Sequence, residues 1–155
     1  METSERGKNF IKRHEAKDGI PDLVAYYDVA GFGTIGYGHL IKPEDKMIKT
    51  VTKEEAEELF KKDLEQAESC VNFACRQVAL MQNEYDALVS FVYNVGCRAF
   101  NTSTLLKELK ASRPLQAGME FKRWNRAGGK VQKILTNRRN AERRLFEFGD
   151  YDDDE

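Results

Sequence analysis

Glu15, Asp28 and Thr34 are the residues of this 155-residue chain whose types and spacing could do chemistry. Glu15 falls where a helical pattern gives way to a turn, Asp28 follows Tyr26-Tyr27, and Thr34 comes six residues later inside a run with Gly31, Gly33, Gly36 and Gly38. Two carboxylates and a hydroxyl at a lobe boundary suit glycoside hydrolysis. One carboxyl protonates the leaving oxygen, and the other activates water or stabilises developing positive charge. Tyr26, Tyr27 and Phe32 nearby would desolvate a carboxyl and raise its pKa toward the working pH. The other reading is plain surface charge, since a chain with 26 acids offers many such pairs.

The elements that must position these groups follow from the pattern of apolar residues. Residues 3–15 carry Phe10 and Ile11 among charges and predict a short amphipathic helix ending near Glu15. The turn-rich stretch 17–22 interrupts it. Between Leu23 and Leu40, aromatic and β-branched residues alternate with glycines and predict short, sharply turned strands, the only β-like part of the chain. From residue 50 onward the spacing is helical. Thr52 and Glu55 form a capping box, Asn83 is placed to cap a second helix that ends at Gly96, and Thr102 or Ser103 starts a third. Pro114 opens a fourth, Ala127-Gly128-Gly129 breaks it, and a last helix carries Ala141, Leu145 and Phe148. The expected class is α+β in one domain, with residues 16–50 as a small β lobe, 1–15 and 51–148 as a helical lobe, and 149–155 as an acidic, solvated tail.

Composition removes several classes. A chain of this length buries enough surface to fold without a metal or disulfide, and no apolar run approaches the roughly 18 residues of a membrane span. The polar start, Met1 to Arg6, has no apolar core of an export signal. Cys70, Cys75 and Cys97 are therefore expected as reduced thiols, and no metal site is expected with only His14 and His39 to help. Net charge is −1, yet residues 119–148 hold nine Lys and Arg against Glu120, Glu142 and Glu147. That positive stretch is either a surface for a polyanion, nucleic acid or bacterial wall, or a solvated helix face with ordinary ion pairs. Three motif matches carry nothing. Gly31 to Gly36 fits G-x-G-x-x-G without the helix that a dinucleotide site needs. His14-Glu15 starts H-E-x-x-H but ends in Asp18, and Asn101-Thr102-Ser103 is a sequon that matters only after export.

The run Asp28 to His39, with Thr34-Ile35-Gly36-Tyr37-Gly38-His39 at its end, closely resembles the phage-type lysozymes (endolysins, glycoside hydrolase family 24). The resemblance continues through Ala87 to Phe91, Asn94-Val95-Gly96, Ser103 to Leu106, Trp124 to Val131 and Arg138 to Glu142, covering about residues 8–148 in collinear order. It implies a lysozyme-like fold with an active-site cleft between the lobes, and a muramidase acting on peptidoglycan by inverting acid–base catalysis. Glu15 then resembles the general acid, Asp28 the carboxylate that positions water, and Thr34 the hydroxyl that helps hold it. Leu40, Tyr93 and Ser103 resemble cleft-lining substrate contacts, with packing at the lobe interface as their other reading. Trp124 reads as core rather than as a sugar platform, His14 as a solvated neighbour of Glu15, and His39 as the partner of a helix acid. The twelve residues between Glu15 and Asp28 exceed the family's usual interval, and Asp18 is the alternative acid if that insertion displaces Glu15.

The resemblance further implies no cofactor, a monomer, no nucleic-acid partner and no membrane insertion. It implies synthesis in the host cytoplasm without a signal peptide and action on the wall after release or delivery. A lytic transglycosylase would use the same acid but no water-activating Asp. A non-catalytic helical nucleic-acid binder would use the basic stretch and leave the strands and their polar triad unexplained.

Overall fold

The computed structural model describes residues 1–27, 33–42 and 50–153; Asp28 therefore lies outside the described residues. Helix α1, Glu5–Glu15, starts where the Ser4 side chain accepts from the Gly7 amide and buries Phe10 and Ile11. A 3-10 turn at Lys17–Gly19 follows, with Asp18 at φ 56° and Gly19 at φ 71°. Strands β1 (Asp22–Tyr27), β2 (Gly33–Gly36) and β3 (His39–Leu40) form an antiparallel sheet in the order β1-β2-β3. Its register sets Tyr26 opposite Thr34 and Thr34 opposite Leu40, a single row across the sheet. Residues directly opposite share a face. Tyr26, Thr34 and Leu40 therefore point the same way.

The helical body is α2 (Lys53–Ala74), α3 (Gln82–Val95), α4 (Cys97–Asn101), α5 (Thr104–Lys110), α6 (Pro114–Glu120) and α7 (Lys133–Phe148). The Thr52–Glu55 capping box is present at the start of α2. Helix α3 is the axis of the body, packed by α1, α2 and α7, and residues 85–92 along it are all buried. Phe91 gathers Phe100, Phe121 and Trp124 around it, each ring edge-on at 5.4–6.3 Å, the arrangement that the ring quadrupole favours.

Four features depart from the sequence reading. Asn83 caps no helix start; its amide donates to the Leu145 and Phe146 carbonyls at the end of α7, while Glu84 accepts from the Met81 amide. A second β element exists, because β4 (Arg126–Ala127) pairs with β5 (Lys130–Val131) across Gly128-Gly129. Both glycines have positive φ, 60° and 77°, as a two-residue hairpin turn with matching twist requires. Cys70 and Cys97 are joined in a disulfide, and only Cys75 is a free thiol, buried. The expectation of three reduced thiols fails because α4 lies against α2 and brings those two Cα atoms to 5.8 Å. The tail is not a frayed end through Asp153. Tyr151 is buried, Arg6 grips Asp153 through two 2.7 Å bonds, and Arg13 donates to the Tyr151 carbonyl at 2.8 Å.

Asp86, fully buried on α3, is the pin of that closure. It accepts from the Ser4 amide (3.1 Å), the Ser4 hydroxyl (2.5 Å), the Gln82 amide (2.8 Å) and the Tyr151 hydroxyl (2.6 Å). Asp86→Ala strands these donors in the interior, and the expected loss is about 2–4 kcal/mol of unfolding free energy. Urea unfolding measures it, and faster amide exchange at residues 150–153 would report the released tail.

Candidate active-site cleft

A cavity of about 760 Å³ opens where the last turn of α1, the sheet, the last turn of α3, the start of α7 and the β4–β5 hairpin converge. Glu15 enters it from the end of α1; Tyr26, Thr34 and Leu40 line it from the sheet row; Tyr93 lines it from α3. Of the residues singled out from the sequence, Glu15, Thr34, Leu40 and Tyr93 are thus brought together. Asp18 sits exposed in the 3-10 turn and does not line the cavity.

Ser103 does not line this cavity. It is buried away from the cavity as the N-cap of α5, its hydroxyl donating to the Phe100 carbonyl at 2.7 Å and accepting from the Leu106 amide at 3.1 Å. Trp124 does both things at once: it packs edge-on against Phe91 and also lines the cavity. His39 sits 2.7 Å from Asp63 on α2, the helix-acid pairing expected of it, and ties β3 to the helical body.

The setting of Glu15 decides its chemistry. Arg138 Nη1 donates to Glu15 Oε1, and Arg138 also bonds Glu142 Oε2 at 3.2 Å and the Ser90 carbonyl at 3.0 Å. Arg139 lies 2.6 Å from Glu142 Oε1, and Ser90 donates to Glu142 Oε2 at 2.6 Å. Two arginines and two carboxyl groups thus interlock, with Arg138, Arg139 and Glu142 all buried, so that the group carries no net charge only when Glu15 is ionised. Burial pushes the Glu15 carboxyl above its ordinary value; the charge and hydrogen bond of Arg138 oppose the rise, and the charge of Glu142 adds to it. The result is a carboxyl that holds its proton at higher pH than a solvated Glu. Gly38 makes room for it. A Cβ there would collide with Glu15 Oε2, and the turn holds Gly38 at φ 73°.

Tyr93 donates its hydroxyl to the Tyr37 carbonyl at 2.7 Å. Burial, with the negative charges of Glu15 and Asp63, keeps that phenol protonated well above its normal range. His14, next to Glu15, is half-buried in the wall of the cavity rather than solvated. The sequence reading gave no role to Arg138 or Glu142. The available signal was the placing of Arg138 and Arg139 four and three residues before Glu142, on an otherwise apolar helix face.

The basic stretch is also reshaped by the fold. Arg138 and Arg139 go into the buried network, Arg123 pairs with Glu120, and Arg143 pairs with Glu147. Among the described residues, no ion pair involves Lys122, Arg126, Lys130 or Lys133, which stay exposed on and beside the hairpin at the cavity mouth. Among the described residues there is also no group of three His, Cys, Asp or Glu set to hold a metal ion.

Known proteins agree with this architecture. The sequence model described as phage lysozyme matches residues 17–142. The endolysin of Bacillus phage PZA is 40% identical over 96% of this chain, which spans only 56% of that protein's length. Among solved structures, the endolysin from Escherichia coli O157:H7 phage FAHEc1 superposes with a TM-score of 0.82 at 35% identity, covering 96% of this chain and 95% of that one. The muramidase domain of SpmX from Asticaccaulis excentricus gives 0.79 at 31% identity, covering 94% and 97%. With the match extending over most of its length and over both the sheet and the helical body that enclose the cleft, this chain belongs to the phage lysozyme family.

Proposed function

We propose that the chain is a muramidase, hydrolysing the β-1,4 bond between N-acetylmuramic acid and N-acetylglucosamine in peptidoglycan by inverting acid–base catalysis and so lysing bacterial cells. The observation that carries this reading is Glu15, a carboxyl whose burial raises its pKa, opening on a cleft between sheet and helices with Arg138 behind it. Family membership and the likeness to endolysins and to a muramidase domain support it.

Glu15 gives its proton to the glycosidic oxygen as the C1–O bond breaks and its electron pair moves onto that oxygen. Arg138, already in contact, stabilises the carboxylate left behind. Asp28 accepts a proton from the water whose oxygen bonds to C1 from the opposite face, and the Thr34 hydroxyl helps hold that water. Such inversion leaves roughly 6.5–9.5 Å between the two carboxyls to admit the water. Leu40 presents an apolar surface to the sugars. Tyr93, whose hydroxyl is committed to Tyr37, presents its ring. The chemistry calls on no cofactor. The exposed Lys122, Arg126, Lys130 and Lys133 favour association with an anionic wall polymer, an attraction that weakens with salt. The enzyme acts as a monomer on the wall after release or delivery from the cytoplasm.

Mass spectrometry of the fragments released from purified peptidoglycan tests the reading. Reducing-end muramic acid is expected from the wild type, and Glu15→Gln should lower its rate of release about 10²–10⁴-fold, the usual share of a general acid. Anhydro-muramic ends would make the enzyme a transglycosylase instead. The pH–rate profile checks the acid independently. Glu15 must carry its proton, so the alkaline limb marks its loss and lies above the ordinary Glu range. Glu142→Gln removes a negative neighbour and leaves Glu15 as the remaining carboxylate on Arg138. Both effects favour the ionised Glu15, so the limb is expected to move to lower pH. A limb that stays in place or moves up would separate it from Glu15.

A further inference from the structure

Helix α1 ends at the cleft with two successive polar side chains, and the catalytic reading uses only the second. His14, the first, lines the cavity beside Glu15, half-buried, with its ring held at 4.6 Å from Phe10. Among the described residues neither ring nitrogen makes a hydrogen bond to the protein. Several neighbouring polar side chains of the cleft are committed. Glu15 is tied to Arg138, Arg138 to Glu142 and Ser90, and the Tyr93 hydroxyl to the Tyr37 carbonyl. His14 thus lines the cavity with its hydrogen-bonding capacity unspent, as Asn94 does from the end of α3.

We propose that His14 is a substrate-binding residue, its imidazole hydrogen-bonding a hydroxyl or acetamido group of the glycan seated beside Glu15. The proposal rests on the muramidase reading for the identity of the ligand. The electrostatics of the position select this role over proton transfer. Burial comes first, followed by the charges of Arg138 and Arg139 from α7, Arg13 from its own helix and Arg144 from α7; together they push the imidazole down to about 3. An imidazole so disposed stays neutral through the range in which Glu15 works and is too weak a base to take a proton from water there. A neutral imidazole offers one N–H donor and one lone pair. Sugar hydroxyls, and the N–H and C=O of an acetamido group, can be met by either function of a neutral imidazole, whereas an imidazolium or an arginine would only donate.

Two substitutions test this. Leu and Gln are both good helix formers, so either keeps the last turn of α1 intact, and thermal melting confirms the fold of each. His14→Leu removes both functions, while His14→Gln retains a donor and an acceptor that do not titrate. The expected result on purified peptidoglycan is a five- to tenfold rise in KM for His14→Leu, with kcat changed less than about twofold, in line with the loss of one uncharged hydrogen bond. His14→Gln should recover most of the loss, and both variants should keep the limbs of the pH–rate profile where the wild type has them. Calorimetry with the tetrasaccharide of alternating N-acetylglucosamine and N-acetylmuramic acid, in a Glu15→Gln background that cannot turn it over, should show a matching five- to tenfold weakening on adding His14→Leu. An unchanged KM and affinity in His14→Leu, equal damage in both variants, or a displaced limb would overturn the proposal. A wild type that binds the tetrasaccharide but releases no fragments would instead overturn the muramidase reading, leaving His14 to be judged on the calorimetry alone.

Discussion

The buried contact between Glu15 and Arg138 is the constraint on which the rest of the cleft depends. A carboxylate and a guanidinium taken out of water lose solvation worth several kcal/mol each, and one pair alone recovers this poorly. The protein extends the pair instead of isolating it. Glu142 sits between Arg138 and Arg139, and Ser90 bonds both Glu142 and Arg138, so each buried charge has an opposite neighbour. The network joins the end of α1, the middle of α3 and the centre of α7. An acid held this way has its position fixed by three helices. Its proton affinity is set by a balance between burial and Arg138 rather than by either alone.

The same helix, α3, explains why such a junction is available. Along its fully buried stretch the two charged or hydroxyl-bearing aliphatic residues are Asp86 and Ser90, four residues apart and hence on one face. Asp86 gathers the N-terminus and the tail through Ser4 and Tyr151; Ser90, one turn on, supports the arginine network. Both ends of the chain are therefore fastened against the helix that also carries Tyr93 to the cleft. The small sheet is fastened separately. Tyr37 donates to Glu57 at 2.8 Å, Lys12 reaches Glu57 and lies over the Tyr37 and Phe60 rings, and His39 pairs with Asp63. These ties hold the row Tyr26, Thr34, Leu40 across from Glu15.

What the sequence revealed and what it hid follow a physical division. Local signals were legible: the capping box at Thr52, the end of α1 at Glu15, the turn glycines around Thr34, and Pro114 at the first turn of α6. Contacts set by tertiary packing were not. Asn83 looks like a cap for its own helix because it stands at the right position, yet its amide is spent on the far end of α7. Ser103 fits both a helix cap and a cleft contact, and burial selects the cap. The Cys70–Cys97 bond depends on how α4 lies on α2, which no spacing rule encodes. The tail of acids looked solvated because its partners, Arg6, Arg13 and Asp86, are more than sixty residues away in sequence. Asp28, the second carboxylate of the sequence reading, falls outside the described residues, and the cleft geometry stands on Glu15, Thr34, Leu40 and Tyr93.

The distribution of spent and unspent polar groups separates scaffold from function more sharply than burial does. Glu142, Asp86 and Ser103 are all buried, and each has its hydrogen bonds inside the protein. Such groups cost several kcal/mol if left unpaired, so the fold pairs them, and nothing remains for a ligand. At the cleft the pattern reverses by degrees. Glu15 spends one oxygen on Arg138 while its burial raises its proton affinity, and His14 spends neither nitrogen. A half-buried imidazole whose ring packs on Phe10 while its nitrogens stay unspent is the part of this wall that the fold uses only for its shape.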